Sequence, residues 1–165
     1  MKHFTYALIL LALVTSMLSA QVVLPERKGE TGLRENVFGL GVAGGAATGV
    51  GLSFRHHLPA VWSYQVTGGI IKVNDKLSSA VGVELQYDLV RGATNRFFAG
   101  GGIGYYYSGP SSGNELDAPG RLGLGVGGEF LVTPGLHATT ELFFTYFTDG
   151  TILPLPQLGF HYYFY

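Results

Sequence analysis

The chain has no cysteine, a single tryptophan and few charged residues. The absence of cysteine excludes disulfide bonds and thiolate metal sites. Charged residues make up 13% of the 165 residues, about half of the ~25% that is typical of globular proteins. The formal net charge of -1 offers no basic surface for nucleic acid. The composition therefore argues against a disulfide-stapled domain, a nucleic-acid-binding protein and an ordinary soluble domain.

Long apolar runs are also scarce, and the clearest one lies at the start of the chain. Lys2 and His3 precede the apolar run Phe4–Val14, and small residues at Ser19 and Ala20 follow it. This layout predicts a secretory signal peptide over residues 1–20. The alternative is an uncleaved membrane anchor, but the run is short for the ~20 residues that a spanning helix needs. Residues 21–35 are polar, and we predict a flexible periplasmic lead-in there.

Glycine and aromatic residues are abundant, and from Asn36 onward they follow a period of two. In residues 37–44, for example, Phe38, Leu40 and Val42 alternate with glycine and alanine. Such alternating segments of ~10 residues are typical of transmembrane β-barrels. The predicted fold is all-β, an eight-stranded antiparallel up-and-down transmembrane β-barrel over residues 36–165. The predicted strands are 37–44, 48–56, 62–71, 78–89, 96–107, 121–132, 136–148 and 155–165.

The distribution of charge indicates which face of each strand points outward. After Asn36, nearly every ionisable residue falls in a turn, near a strand end or on the glycine-bearing face. The opposite face, aliphatic and aromatic, carries none. A soluble barrel would show the inverse pattern, whereas an Arg or Lys facing lipid costs ~2–4 kcal/mol at the bilayer midplane. We therefore predict an apolar exterior and a lumen in which glycines leave room for bulkier neighbours.

Several polar residues are predicted to point into this lumen. They are Arg55, Glu84, Gln86, Glu129, Glu141 and His161. They could form a salt-bridge plug or line a narrow polar conduit, and we favour the plug because buried charges must be paired. Neighbouring strand residues face opposite sides, so His56 and His57 cannot easily share a metal ion, and a solvated strand end is predicted for them. No cofactor is predicted.

Two segments carry a family resemblance. The stretch Phe97–Tyr105 combines glycine with aromatics, and the chain ends on the aromatic-rich Gly159–Tyr165. In both respects the chain resembles the small outer-membrane β-barrel proteins of the OmpA and OmpX type. The resemblance implies a bacterial outer-membrane location, both termini in the periplasm, and contact with outer-membrane lipid and lipopolysaccharide. It also implies that the barrel-assembly machinery recognises a terminal signal, here Tyr163 and Tyr165.

A non-enzymatic structural or surface-interaction role is the leading functional hypothesis. The implied outward connections are short except for residues 108–119, which leaves little surface for a ligand. A small pore for ions or tiny solutes is the alternative. A third hypothesis is a lipid A-modifying enzyme, because small outer-membrane deacylases use a His-x-Ser pair with a nearby Glu. The segment His137-Ala138-Thr139 with Glu141 matches this only loosely, with threonine in place of the serine.

Overall fold

The computed structural model describes residues 36–110 and 113–164, and within them the chain forms eight strands. Neighbouring strands pair antiparallel in chain order, and pairing between the first and last strands closes the sheet into a barrel. The predicted eight-stranded antiparallel barrel is confirmed. The predicted signal peptide and lead-in lie outside the described residues. The strands are β1 (Val37–Gly45), β2 (Gly49–His57), β3 (Trp62–Val73), β4 (Lys76–Arg91), β5 (Asn95–Gly109), β6 (Gly120–Thr133), β7 (Leu136–Phe147) and β8 (Ile152–Phe164).

Short turns join most of the strands, and residues that tolerate a left-handed backbone form them. Asn74, in the two-residue turn between β3 and β4, has φ 53°, and Gly135, between β6 and β7, has φ 84°. Asparagine and glycine are the residues that adopt this conformation most readily. No helix in the two described ranges has the length and hydropathy needed to cross a membrane.

The eighth strand begins earlier than predicted. It starts at Ile152 instead of Leu155 and continues through Pro154 and Pro156. Backbone N–H groups alternate between the two neighbours of a strand, and Tyr163 donates toward the β7 side, to Gly135. Both prolines therefore lack an N–H on the β1 side. Because β1 pairs with β8 only as far as Gly44 and Leu158, no donor is missing from the ladder there.

Side chains on the two faces of the wall differ sharply in character. Outward side chains are apolar and well exposed, including Leu52 at 77%, Leu124 at 66% and Phe144 at 60%. Aromatic pairs such as Trp62–Tyr87 and Phe97–Phe130 lie on the outside near the end of the barrel that holds the described termini. The inward face carries most of the buried polar and charged side chains. The predicted assignment of the two faces is confirmed.

Candidate functional site in the barrel lumen

Arg55 lies at the centre of the lumen on β2 and is 1% exposed. Its Nη1 atom donates to Glu129 Oε2 at 3.0 Å and to Thr139 Oγ1 at 2.8 Å. Its Nε atom donates to Gln65 Oε1 at 2.9 Å, and Nη2 lies 3.4 Å from Glu141 Oε1. The guanidinium thus reaches from β2 to β3, β6 and β7. A buried cation needs several such partners to offset the loss of water.

A second arginine, Arg96 on β5, completes the ionic centre. Its Nε atom donates to Glu129 Oε2 at 2.8 Å, and its Nη1 atom donates to Asp88 Oδ1 at 2.5 Å. The guanidinium also packs on the ring of Phe98, 4.5 Å from the centroid. Glu129 therefore bridges two buried arginines. The predicted lumen cluster left out Arg96 and Asp88 because both lie close to a turn, although their positions in the alternation match the inward face.

The glutamates and glutamines are tied into the same centre. Gln86 accepts a hydrogen bond from Arg96 and donates from Nε2 to Glu84 Oε1 at 2.7 Å. Gln157 Nε2 donates to Glu141 Oε2 at 3.2 Å. Every member of the predicted lumen cluster is thus buried inside the barrel. Five of the six join one connected set with Arg96, and His161 lies beside it. The name lumen network is used below for this set together with its neighbours His57, His137, His161 and Tyr163.

Three histidines surround a tyrosine at the end of the lumen near the described termini. His57 Nε2 lies 2.7 Å from Tyr163 Oη, and His137 Nδ1 lies 3.2 Å from Glu129 Oε1. His161 Nε2 lies 2.9 Å from Ser53 Oγ. The solvated role predicted for His57 is wrong, because its side chain is 2% exposed and faces inward, while His56 faces out. In the described residues, no group of three or more acidic or histidine side chains has the geometry to hold a metal ion.

Tyr163, predicted as part of an assembly signal, points into the barrel and is 1% exposed. The outward aromatics of β8 are instead Phe160, Tyr162 and Phe164. Recognition of Tyr163 during assembly stays a prediction, and Tyr165 lies outside the described residues.

The lumen is filled by two large rings that sequence reasoning did not single out. Phe98 and Phe143 are fully buried, and both lie against glycines of the neighbouring strand. A Cβ added at Gly125 would lie 2.5 Å from Phe143, and one at Gly127 would lie 2.6 Å from Phe98. The predicted role of the inward glycines is therefore confirmed. A gap between Arg55, Gln157 and their neighbours has no room for a water molecule.

The residues of the enzyme hypothesis lie in this packed interior. Thr139 is 3% exposed, and its hydroxyl accepts the hydrogen bond from Arg55. His137 is fully buried beside Glu129, and Glu141 is 7% exposed. A nucleophilic hydroxyl has to reach its substrate and a base. This hydroxyl is instead engaged with a guanidinium inside the barrel.

No protein-family model matches the chain, and no curated protein does either. Among solved structures, the chain is similar to the Yersinia pestis outer membrane protein Ail, determined in a phospholipid bilayer nanodisc, at 15% sequence identity. The match covers 78% of this chain and 97% of that chain, with a TM-score of 0.45. A likeness at this level carries no argument about function, which has to come from the side chains of this barrel.

Proposed function

We propose that the chain is an integral outer-membrane β-barrel protein with a structural or surface-interaction role and a lumen closed by the lumen network. The observation that carries the proposal is the polarity of the wall. All eight strands expose large apolar side chains outward, while the charged side chains of the strand interiors are buried inside. Moving such an exterior from hydrocarbon into water would cost about 25 cal/mol of free energy for each Å² of apolar surface. Hydrocarbon is its favourable surrounding.

The same features support the outer membrane of a bacterium as the location. A closed barrel satisfies its backbone hydrogen bonds within the sheet, which is a requirement for any structure that crosses lipid. An even number of antiparallel strands and short turns are typical of bacterial outer-membrane barrels. Under this proposal the predicted signal peptide directs export, lipid and lipopolysaccharide surround the wall, and the barrel-assembly machinery inserts the chain.

A closed lumen favours the plug over the pore. Arg55, Arg96 and Glu129 are each at most 1% exposed and engage one another across the barrel. An ion crossing the lumen would have to break several buried charge-assisted contacts, each worth about 1.5–3 kcal/mol. The same burial of Thr139 and Glu141 supports a protein without enzymatic activity on lipid.

Single-channel recording tests the closed lumen. We expect the refolded full chain in planar phospholipid bilayers to give no steady conductance above that of the lipid alone. A general porin added to the same bilayers is the positive control, and heat-denatured chain is the negative one. Reproducible open-channel steps from the folded chain would contradict the plug and favour a small pore.

A further inference from the structure

The hairpin that joins β1 and β2 leaves the barrel wall. Pairing of β1 with β8 ends at Gly44 and Leu158, and pairing of β2 with β3 ends at Leu52 and Gly68. Beyond these pairs the segment Gly45–Gly49, here called the lid hairpin, pairs with no strand outside the hairpin itself. Its side chains nevertheless are not exposed, since Ala47 is 0% and Thr48 is 2% exposed. The lid hairpin is therefore folded into the mouth opposite the described termini.

Glycines across the lumen provide the space that it occupies. A Cβ added at Gly82 would lie 2.3 Å from the carbonyl carbon of Thr48. One at Gly102 would lie 2.6 Å from Thr48 Cγ2, and one at Gly123 would lie 2.6 Å from Ala47 Cβ. These glycines belong to β4, β5 and β6. Three strands on the far side thus lack side chains where the lid hairpin sits.

The inward turn of β2 depends on two residues with positive φ. Gly49 has φ 93° and Gly51 has φ 138°, and both values are unfavourable for residues with a side chain. A Cβ at Gly51 would also lie 2.3 Å from the carbonyl oxygen of Gly68. Backbone conformation and space at these positions therefore both require glycine, which makes the inward path a specified feature of the chain.

Polar contacts hold the lid hairpin in place. The Tyr106 hydroxyl donates to the Gly45 carbonyl and accepts from the Gly49 N–H at 3.0 Å, so that it bridges the two sides of the turn. Arg121 stacks on the Tyr106 ring at 3.8 Å and donates to the Ala46 carbonyl at 3.4 Å. On the other side, Thr48 Oγ1 donates to Gln157 Oε1 at 2.7 Å.

We propose that the lid hairpin is a built-in lid that closes this mouth of the barrel, latched by Tyr106 and seated on the glycines of β4 to β6. It is a second closure, nearer to this mouth than the lumen network, and the hydrogen bond between Thr48 and Gln157 joins the two. Opening it would admit small solutes to the upper lumen without breaking the ionic centre. The inference goes beyond the proposed function, because it holds whatever the barrel's role in the membrane is.

Thiol accessibility tests the lid, and the chain suits the method because it has no cysteine of its own. Thr145 is fully buried, and its hydroxyl makes no hydrogen bond. A Cβ added at Gly123 would lie 3.6 Å from Thr145 Oγ1 and 2.6 Å from Ala47 Cβ, which places Thr145 beside the lid hairpin. Thr145→Cys is therefore a small change that reports on solvent access to the lumen just beneath the lid hairpin. Thr151→Cys, in the exposed turn before β8, is the matched exposed reporter. Both are measured in full chain refolded into phospholipid vesicles, with a small charged thiol reagent.

We expect Thr145→Cys to react at least about 100-fold more slowly than Thr151→Cys, because labelling has to await local opening. Adding Tyr106→Phe, which removes the latch hydroxyl, or Gly82→Ala, which displaces Thr48, should speed the labelling of Thr145→Cys about tenfold or more. Gly68→Ala is the control, since a Cβ there has no neighbour closer than 3.6 Å. It should leave the rate unchanged.

Equal labelling of the two reporters would overturn the proposal. So would an unchanged Thr145→Cys rate in the Tyr106→Phe background, with folding verified by heat-modifiable gel migration. Should Gly82→Ala fail to fold, Tyr106→Phe alone decides.

Discussion

At the scale of single residues, the barrel interior shows how a buried charge is made tolerable. Arg55 and Arg96 lie on different strands and share Glu129 as an ionic partner. Glutamine and threonine side chains accept hydrogen bonds from further guanidinium N–H groups. Removing one partner from such a set leaves an uncompensated charge in a dry interior. The stability of the interior therefore depends on every buried charge having its partners, more than on any single ion pair.

Replacing Arg55 should expose this dependence. We expect Arg55→Met to lower the free energy of unfolding by about 3–5 kcal/mol. The reason is that Glu141 loses its arginine partner and Glu129 loses one of its two arginine partners. The control is Lys76→Met, which breaks the exposed Lys76–Glu115 pair and should cost only about 0–1 kcal/mol. Denaturant unfolding of both variants in phospholipid vesicles measures the difference. Equal, small losses would show that the lumen network contributes little.

Sequence reasoning identified part of the lumen network. Arg55, Glu84, Glu129 and Glu141 were identified because they lie on the glycine-bearing face of the predicted strands. Arg96 and His57 were missed because they lie beside turns, where a polar residue is usually solvated. Their positions in the alternation of inward and outward residues were the signal that could have assigned both side chains to the lumen. Which carboxylate meets which arginine could not be predicted, because cross-lumen contacts depend on the stagger of the closed barrel.

At the scale of the strand, the period of two was sufficient to find all eight elements and both faces. The start of β8 was missed because proline usually ends a strand, and here its missing N–H faces the side where β1 has already ended. Residues 45–47 of the lid hairpin were predicted as a tight turn, and Thr48 and Gly49 as the start of the second strand. Its inward path depends on backbone angles at Gly49 and Gly51 and on empty space across the lumen, neither of which the alternation records.

A pair of matched substitutions on β6 tests the outward face. Val126 and Val132 are 56% and 54% exposed, but Val126 lies mid-strand and Val132 lies near the strand end. In lipid we expect Val126→Arg to lose about 2–4 kcal/mol of unfolding free energy and Val132→Arg about 0–1 kcal/mol. Unfolding in phospholipid vesicles measures both. If the two losses were equally small, the outward face at mid-strand would not meet hydrocarbon.

At the scale of the whole molecule, the barrel reverses the usual distribution of polarity. Large apolar side chains face outward from every strand, and the interior holds ions, glutamines and histidines beside the buried rings of Phe98 and Phe143. Composition and alternation predicted this inversion because they record which residues share a face. They also favoured a salt-bridge plug of the lumen. They could not predict the second closure that we propose, by the lid hairpin, because it depends on contacts across the assembled barrel.

Fractionation of cells that express the full chain tests the membrane location most directly. The outward apolar wall predicts that the protein is found in the outer-membrane fraction of a Gram-negative host. It also predicts that unboiled protein migrates differently from boiled protein on a gel, because the closed sheet stays folded until heated. Recovery of folded protein from the soluble periplasmic fraction would contradict the account.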